Sequence, residues 1–183
     1  SVSSAGDMNG DGYGDIVVGA PQADGWGPWT GSAYVFLGSS SGLSGGTASA
    51  TAGAVVDGDA GQDRFGFSVS AAGDANGDGY GDIVVGADQH DGGGPNSGAA
   101  FVFLGSSSGL SSGTASATAD SVLVGDGQSE YFGYSVSSAG DVDGDGYGDL
   151  IVGAIWDDGN GTDCGAATVY LGSAGGVQPG SAT

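Results

Sequence analysis

Residues 65–73, FGFSVSAAG, alternate apolar and small polar positions and end in glycine, the pattern of a half-buried strand. Residues 82–87, DIVVGA, form a β-branched run too apolar for an exposed strand, which predicts a second and buried one. Residues 98–105, GAAFVFLG, predict a third strand bounded by glycines. Residues 115–126, ASATADSVLVGD, are more polar and predict a fourth, outer strand beyond the turn-rich SSSGLSSGT. No window sustains a 3.6-residue apolar period, so almost no helix is expected. Four antiparallel strands grading from apolar to polar describe one blade of a β-propeller. The expected fold class is all-β.

The pattern repeats. Asp7, Asp74 and Asp141 are spaced by 67 residues, and residues 1–20 and 68–87 differ only at Ser4/Ala71 and Met8/Ala75. Residues 135–154 restate the same text with four changes from the first copy. Repeats this alike stack as equivalent units, each burying its neighbour's apolar face. The predicted blades are residues 1–67, 68–134 and 135–183. The first lacks the opening Phe-Gly, and the third stops before its outer strand. Propellers typically close with about four to eight blades. Three blades leave two raw sheet edges, which invite pairing with another chain or belong to a longer propeller.

Charge narrows the partners. Twenty-two acidic residues face one basic residue, Arg64, for a net charge of −21 over 183 residues. That argues against nucleic acid or an anionic membrane as partner. No apolar run reaches the length of a membrane span and no signal peptide is visible, so no membrane insertion is expected. The single cysteine, Cys164, rules out an internal disulfide.

The acids themselves recur at fixed places, so solubility alone does not account for them. DMNGDGYGD (7–15) lies between the first two strands of its repeat. Its oxygen-bearing positions are Asp7, Asn9, Asp11 and Asp15; then Asp74, Asn76, Asp78 and Asp82; then Asp141, Asp143, Asp145 and Asp149. A glycine always follows the third of these, permitting a sharp bend. Tyr13, Tyr80 and Tyr147 stand at position seven, where a backbone carbonyl can complete an oxygen cage. Two carboxylates about 4 Å apart repel by roughly 1 kcal/mol in water and about 4 kcal/mol near a protein surface. A divalent cation reverses that sign. Without His or Cys ligands, zinc and copper fit poorly, and several protein oxygens suit Ca2+ better than magnesium. The bland alternative, a solvated Asn/Asp/Gly turn, suits one copy better than three in register. Three Ca2+ sites are expected, the third tightest because Asp143 replaces an amide.

These residues resemble FG-GAP repeats, the unit of the integrin α-subunit β-propeller and of many bacterial extracellular proteins. FG stands at Phe65-Gly66 and Phe132-Gly133; GAP stands at Gly19-Ala20-Pro21 and weakens to GAD (86–88) and GAI (153–155). The D-x-D/N-x-D-G-x-x-D motif lies between, and the match spans essentially the whole chain. The resemblance implies calcium-rigidified loops on one propeller face and ligand recognition on the other, where the strand 2–3 and 4–1 loops lie. It implies an extracellular or cell-surface setting and adhesion or binding rather than catalysis. The chain departs in having three blades where the family's propellers have about seven.

The strand 2–3 loops differ most between repeats and carry Trp26, Trp29, His90, Trp156 and Cys164. Variable loops on a uniform scaffold are where binding usually resides. Exposed tryptophans stack on sugars or anchor protein partners, although they also pack over glycine-rich loops. A solvated loop is expected for His90, which has no second metal ligand beside it; Cys164 is expected either as a buried small residue, the favoured reading, or as a link to another chain. Arg64 is expected in an ion pair. Asn160 opens an NGT triplet, a glycosylation sequon that also arises by chance. No nucleophile elbow, metal-histidine pair or lysine is present, so no enzyme is expected. Three readings follow: a calcium-binding propeller recognising a protein or glycan; a structural subunit whose edges pair between copies into an oligomer or filament; and the accessory propeller of a larger extracellular enzyme.

Overall fold

The computed structural model describes residues 1–43, 45–159, 162 and 164–178. The first repeat runs β1 (Val2–Gly6), β2 (Asp15–Ala20), β3 (Ser32–Phe36), α1 (Ala48–Thr51) and β4 (Ala54–Asp57). The second runs β5 (Ser68–Gly73), β6 (Asp82–Ala87), β7 (Ala99–Phe103), β8 (Gly113–Thr114), α2 (Ala115–Thr118) and β9 (Ser121–Val124). The third holds β10 (Phe132–Gly140), β11 (Asp149–Ala154) and β12 (Ala166–Tyr170). Three sheets result, ordered β1-β2-β3-β4-β8, β5-β6-β7-β9 and β10-β11-β12, antiparallel except where β8 runs parallel to β4. They are propeller blades. The 67-residue sequence period is thus the period of the fold. No helix among the described residues is long and apolar enough to cross a membrane.

One prediction needs correction. Residues 115–126 do not form one strand: Ala115–Thr118 is a single helical turn, and only Ser121–Val124 pairs with β7. The segment ahead of that turn is also busier than a loop. Gly113–Thr114 lie parallel to Val56–Asp57 of the preceding blade, and Ser116 donates from both N–H and hydroxyl to Asp59. The strand 3–4 connection of the second repeat therefore leaves its own sheet to brace the outer edge of the first.

The core is built between blades. β6 is buried along its whole length, as its unbroken apolar text requires. Phe65 wedges into the junction of the first and second blades, edge-on to Phe101 and Phe103 at 5.4 and 6.2 Å. Phe132 repeats this in the next junction against Tyr170. Glycine is obligatory where blades touch: a Cβ on Gly10 or Gly77 would lie 2.7 Å from the ring of Tyr80 or Tyr147.

Candidate metal centres

Each nine-residue acidic pattern forms the hairpin tip between the first two strands of its blade. β5 and β6 keep register from Ser68↔Gly86 to Ala71↔Ile83, then shift at Gly73↔Asp82. The β1–β2 and β10–β11 hairpins shift at the same place. The bulge aims the tip away from the sheet.

Within the second tip the carboxylates are held by backbone N–H groups. Asp74 accepts from Asp78 at 3.0 Å and Gly79 at 2.9 Å, and Asp78 accepts from Tyr80 at 3.0 Å. Gly79 has φ +90°, a conformation that only glycine adopts freely, and this bend turns the N–H groups inward. The first tip repeats these bonds on Asp7 and Asp11. The third repeats them on Asp141 and Asp145. In the first two tips the position-three amide also donates to a carboxylate, Asn9 to Asp11 at 3.1 Å and Asn76 to Asp78 at 2.8 Å. Asp143 carries no such donor.

Position nine behaves differently. Asp82 is buried, and its two oxygens accept from Ala75 at 2.7 Å and Gly105 at 2.8 Å. Asp15 takes Met8 and Gly38 in the same way, and Asp149 takes Val142 and Gly172. The position-nine acid of each tip thus ties its loop to the exit of its own third strand. Burial pushes the Asp82 carboxyl up to about 6, against the lowering effect of the two N–H donors.

The third tip passes a geometric test for a metal. Oxygens of Asp141, Asp143 and Asp149 all lie within 4.8 Å of one another. Calcium holds its oxygens at about 2.3–2.6 Å, so two ligands of one ion stand up to about 5 Å apart. Every donor in the set is oxygen; Asp141 Oδ1 accepts two N–H bonds, from Gly144 and Asp145, whereas Asp141 Oδ2 and both Asp149 oxygens accept one each and keep a lone pair.

The opposite side of the blades carries the strand 2–3 and 4–1 loops. Trp26 and Trp29 are exposed; Trp156 is half exposed and meets Tyr131 edge-on at 5.1 Å. His90 is not the solvated loop residue expected. Its Nδ1 lies 2.9 Å from Asp63, and its ring packs edge-on to Phe101. The hydrogen bond to Asp63 holds the imidazole above its usual range, with burial opposing and the charges of Asp63, Asp59 and Asp91 assisting. Cys164 is exposed, not the buried small residue favoured from the sequence. Arg64 is paired, 3.0 Å from buried Asp88, and lies over the Phe67 ring. Burial pushes Asp88 up to about 6 while Arg64 draws it down. Asn160 lies outside the described residues.

The sequence reading missed a second acidic cluster here. Asp126, Glu130 and Asp157 converge within 4.8 Å beside the third blade. Burial, then the charges of Asp126 and Asp157, hold the Glu130 carboxyl above its usual range. One 67-residue step earlier these places are Asp59, Asp63 and His90. Aligning the repeats would have shown that a histidine relieves the first junction where the second has three acids.

The His90–Asp63 contact predicts a pH effect. A histidine raised in the folded state contributes stability that is complete below the unfolded value near 6.5 and is lost as pH rises through the folded value. In saturating calcium, the melting temperature should fall by about 2–4 °C from pH 6 to pH 8, the shift expected of ~1 kcal/mol in a chain this size. His90→Gln should flatten that slope, as read by calorimetry at both pH values.

Comparison with known proteins follows the same geometry. The FG-GAP repeat model matches residues 1–36, 65–103 and 132–171, bracketing each acidic tip between its first three strands. The chain belongs to the FG-GAP repeat family. This FG-GAP chain is 39% identical over 154 residues to integrin alpha-IIb of Mus musculus, covering 81% of the chain and 14% of that protein. It is 36% identical over 161 residues to integrin alpha-5 of Xenopus laevis, covering 83% and 14%. It is 35% identical over 167 residues to integrin alpha pat-2 of Caenorhabditis briggsae, covering 84% and 13%. The FG-GAP chain thus spans about one seventh of the length of these relatives.

Proposed function

We propose that this chain is a calcium-rigidified propeller segment, extracellular or at the cell surface, that recognises a protein or glycan through its variable loops. Asp7, Asn9, Asp11, the Tyr13 carbonyl and Asp15 would hold the first ion, and their counterparts from Asp74 to Asp82 and Asp141 to Asp149 the others. The observation that carries this reading is the threefold repetition of one carboxylate cradle, with its N–H bonds, at equivalent hairpin tips. Acids this crowded are stabilised by a cation and destabilised without one. The integrin relatives support an adhesive role, and exposed Trp26, Trp29 and Trp156 offer flat apolar contacts for a ligand.

Calcium titration tests it. In wild type, calorimetry should resolve three sites. Asp7→Ala combined with Asp74→Ala should leave only the third, with affinity about tenfold above either other site measured alone, because a full charge replaces an amide dipole. Adding Asp143→Asn should erase that advantage. A third site no tighter than the others would refute the ranking, and no calcium heat at all would refute the proposal.

A further inference from the structure

Two of the acidic tips contain a chemically labile dipeptide. Position three is Asn9 in the first tip and Asn76 in the second, and each is followed by glycine, Gly10 or Gly77; the third tip has Asp143 before Gly144. Asparagine is thermolabile because the backbone nitrogen of the next residue attacks its side-chain amide. Glycine hinders that attack least, having no side chain. The fold holds glycine at this place. Gly10 and Gly77 have φ +71° and +74°, and a Cβ on either would meet the ring of Tyr80 or Tyr147.

The hydrogen bonds of the tips favour the attack. Asn9 Oδ1 accepts from the Asp11 N–H at 3.1 Å, and Asn76 Oδ1 from the Asp78 N–H at 3.1 Å. That bond folds the side chain back over its own glycine peptide and stabilises negative charge developing on the amide oxygen. The amide nitrogen donates to Asp11 at 3.1 Å or Asp78 at 2.8 Å, which fixes the side chain in this position. Among the described residues the Gly10 and Gly77 N–H groups donate no hydrogen bond, whereas Gly144 donates to Asp141 at 2.7 Å. Both glycines are exposed, so water and hydroxide reach them. Asn96 is the contrast: the next residue, Ser97, is buried, and its N–H is committed to the Gly94 carbonyl at 3.0 Å.

We propose that Asn9 and Asn76 are sites of spontaneous modification, each losing its amide to the following glycine while its tip is ion-free, and that bound calcium suppresses the loss. The Gly10 nitrogen gives up its proton and bonds to Asn9 Cγ. The Cγ–Nδ2 bond breaks, and Nδ2 leaves as ammonia with that proton. Water then opens the cyclic imide at one of its two carbonyls. One opening gives aspartate, the residue type of the third tip. The other gives isoaspartate, which adds a carbon to the backbone and breaks the register of the N–H bonds from Asp11 and Gly12 to Asp7. Asn76 and Gly77 react in the same way. Ring closure draws Oδ1 out of the oxygen cage, so the ion has to leave first. With free calcium at about 100 times the dissociation constant, only about one tip in a hundred is ion-free at any moment. The loss itself rests on the loop; its suppression rests on the calcium reading above.

Ageing the 183-residue chain in mildly alkaline buffer tests both parts. The arms are EDTA, calcium, and EDTA with urea, at a temperature where circular dichroism shows the chain folded in the first two. Chymotrypsin cuts after Phe67 and the tip tyrosines, so residues 1–13 and 68–80 report each site by the mass gained when an acid replaces an amide. In EDTA, Asn9 and Asn76 should convert no more slowly than in urea, while Asn96 stays an amide. Calcium should slow both sites at least about tenfold. Asn9→Gln should keep its amide, because the longer side chain closes a larger ring, and should leave the Asn76 rate unchanged. Calorimetry on the same sample reports calcium binding independently. Calcium heat without slowing would overturn the suppression and leave the calcium reading intact. Conversion in EDTA slower than in urea would overturn the modification, whether or not calcium binds.

Discussion

Chelation should lower the melting temperature of this chain by about 16–32 °C. Each of the three proposed calcium sites would contribute about 2.7 kcal/mol when free calcium stands at about 100 times its dissociation constant. Three sites together contribute about 8 kcal/mol, comparable with the whole stability of a typical domain, ~5–15 kcal/mol. In a chain of this size each kcal/mol moves the midpoint by about 2–4 °C. The loss is largest where repulsion is least relieved, at the third tip, where Asp141, Asp143 and Asp149 crowd within 4.8 Å. Scanning calorimetry with and without EDTA, then with calcium restored, measures it. Magnesium should restore only part, since it retains its waters in preference to filling a protein cage. Equal midpoints with and without chelator would end the calcium reading.

Asp82→Ala should cost about 2–6 kcal/mol even in EDTA, where no ion is lost with it. The buried carboxylate receives N–H bonds from Ala75 and Gly105, and its removal leaves both donors unsatisfied. Each such group costs about 1–3 kcal/mol. Asp78→Ala is the contrasting variant. Its carboxylate is exposed and accepts from Tyr80 and the Asn76 amide. In EDTA that substitution should change stability by less than about 1 kcal/mol, because water replaces the lost acceptor. In calcium it should cost about 3 kcal/mol, the contribution of one site. Urea unfolding of the two variants in both buffers gives four midpoints. If Asp82→Ala were harmless in EDTA, the position-nine acid would be a ligand only, and the bracing described above would be wrong.

Both variants show where sequence reading was sufficient and where it stopped. The hairpin tips were legible because acids or amides at positions 1, 3, 5 and 9 around a fixed glycine specify a local loop. The N–H bonds that Asp7 and Asp11 accept run between residues at most five apart. β6 was legible because an unbroken β-branched run has to be covered on both sides. Ala115–Thr118 was misjudged because it is a single helical turn, too short for any period to register. His90 was misjudged because its partner, Asp63, lies 27 residues away across a blade junction.

By itself the sequence determined the 67-residue period, the strand-rich blades and the oxygen-only composition of each tip, because all of these reside in contacts between near neighbours along the chain. Tertiary structure alone decided that the ninth-position acid is buried and accepts two backbone hydrogen bonds, that the second repeat's strand 3–4 segment braces the preceding blade, and which copies of one residue are covered. Val2, Val69 and Val136 occupy the same place in nearly the same text, yet the first is open and the others are covered. The reason is physical: burial depends on what stands in front of a side chain, and a residue's own neighbours in sequence do not set that.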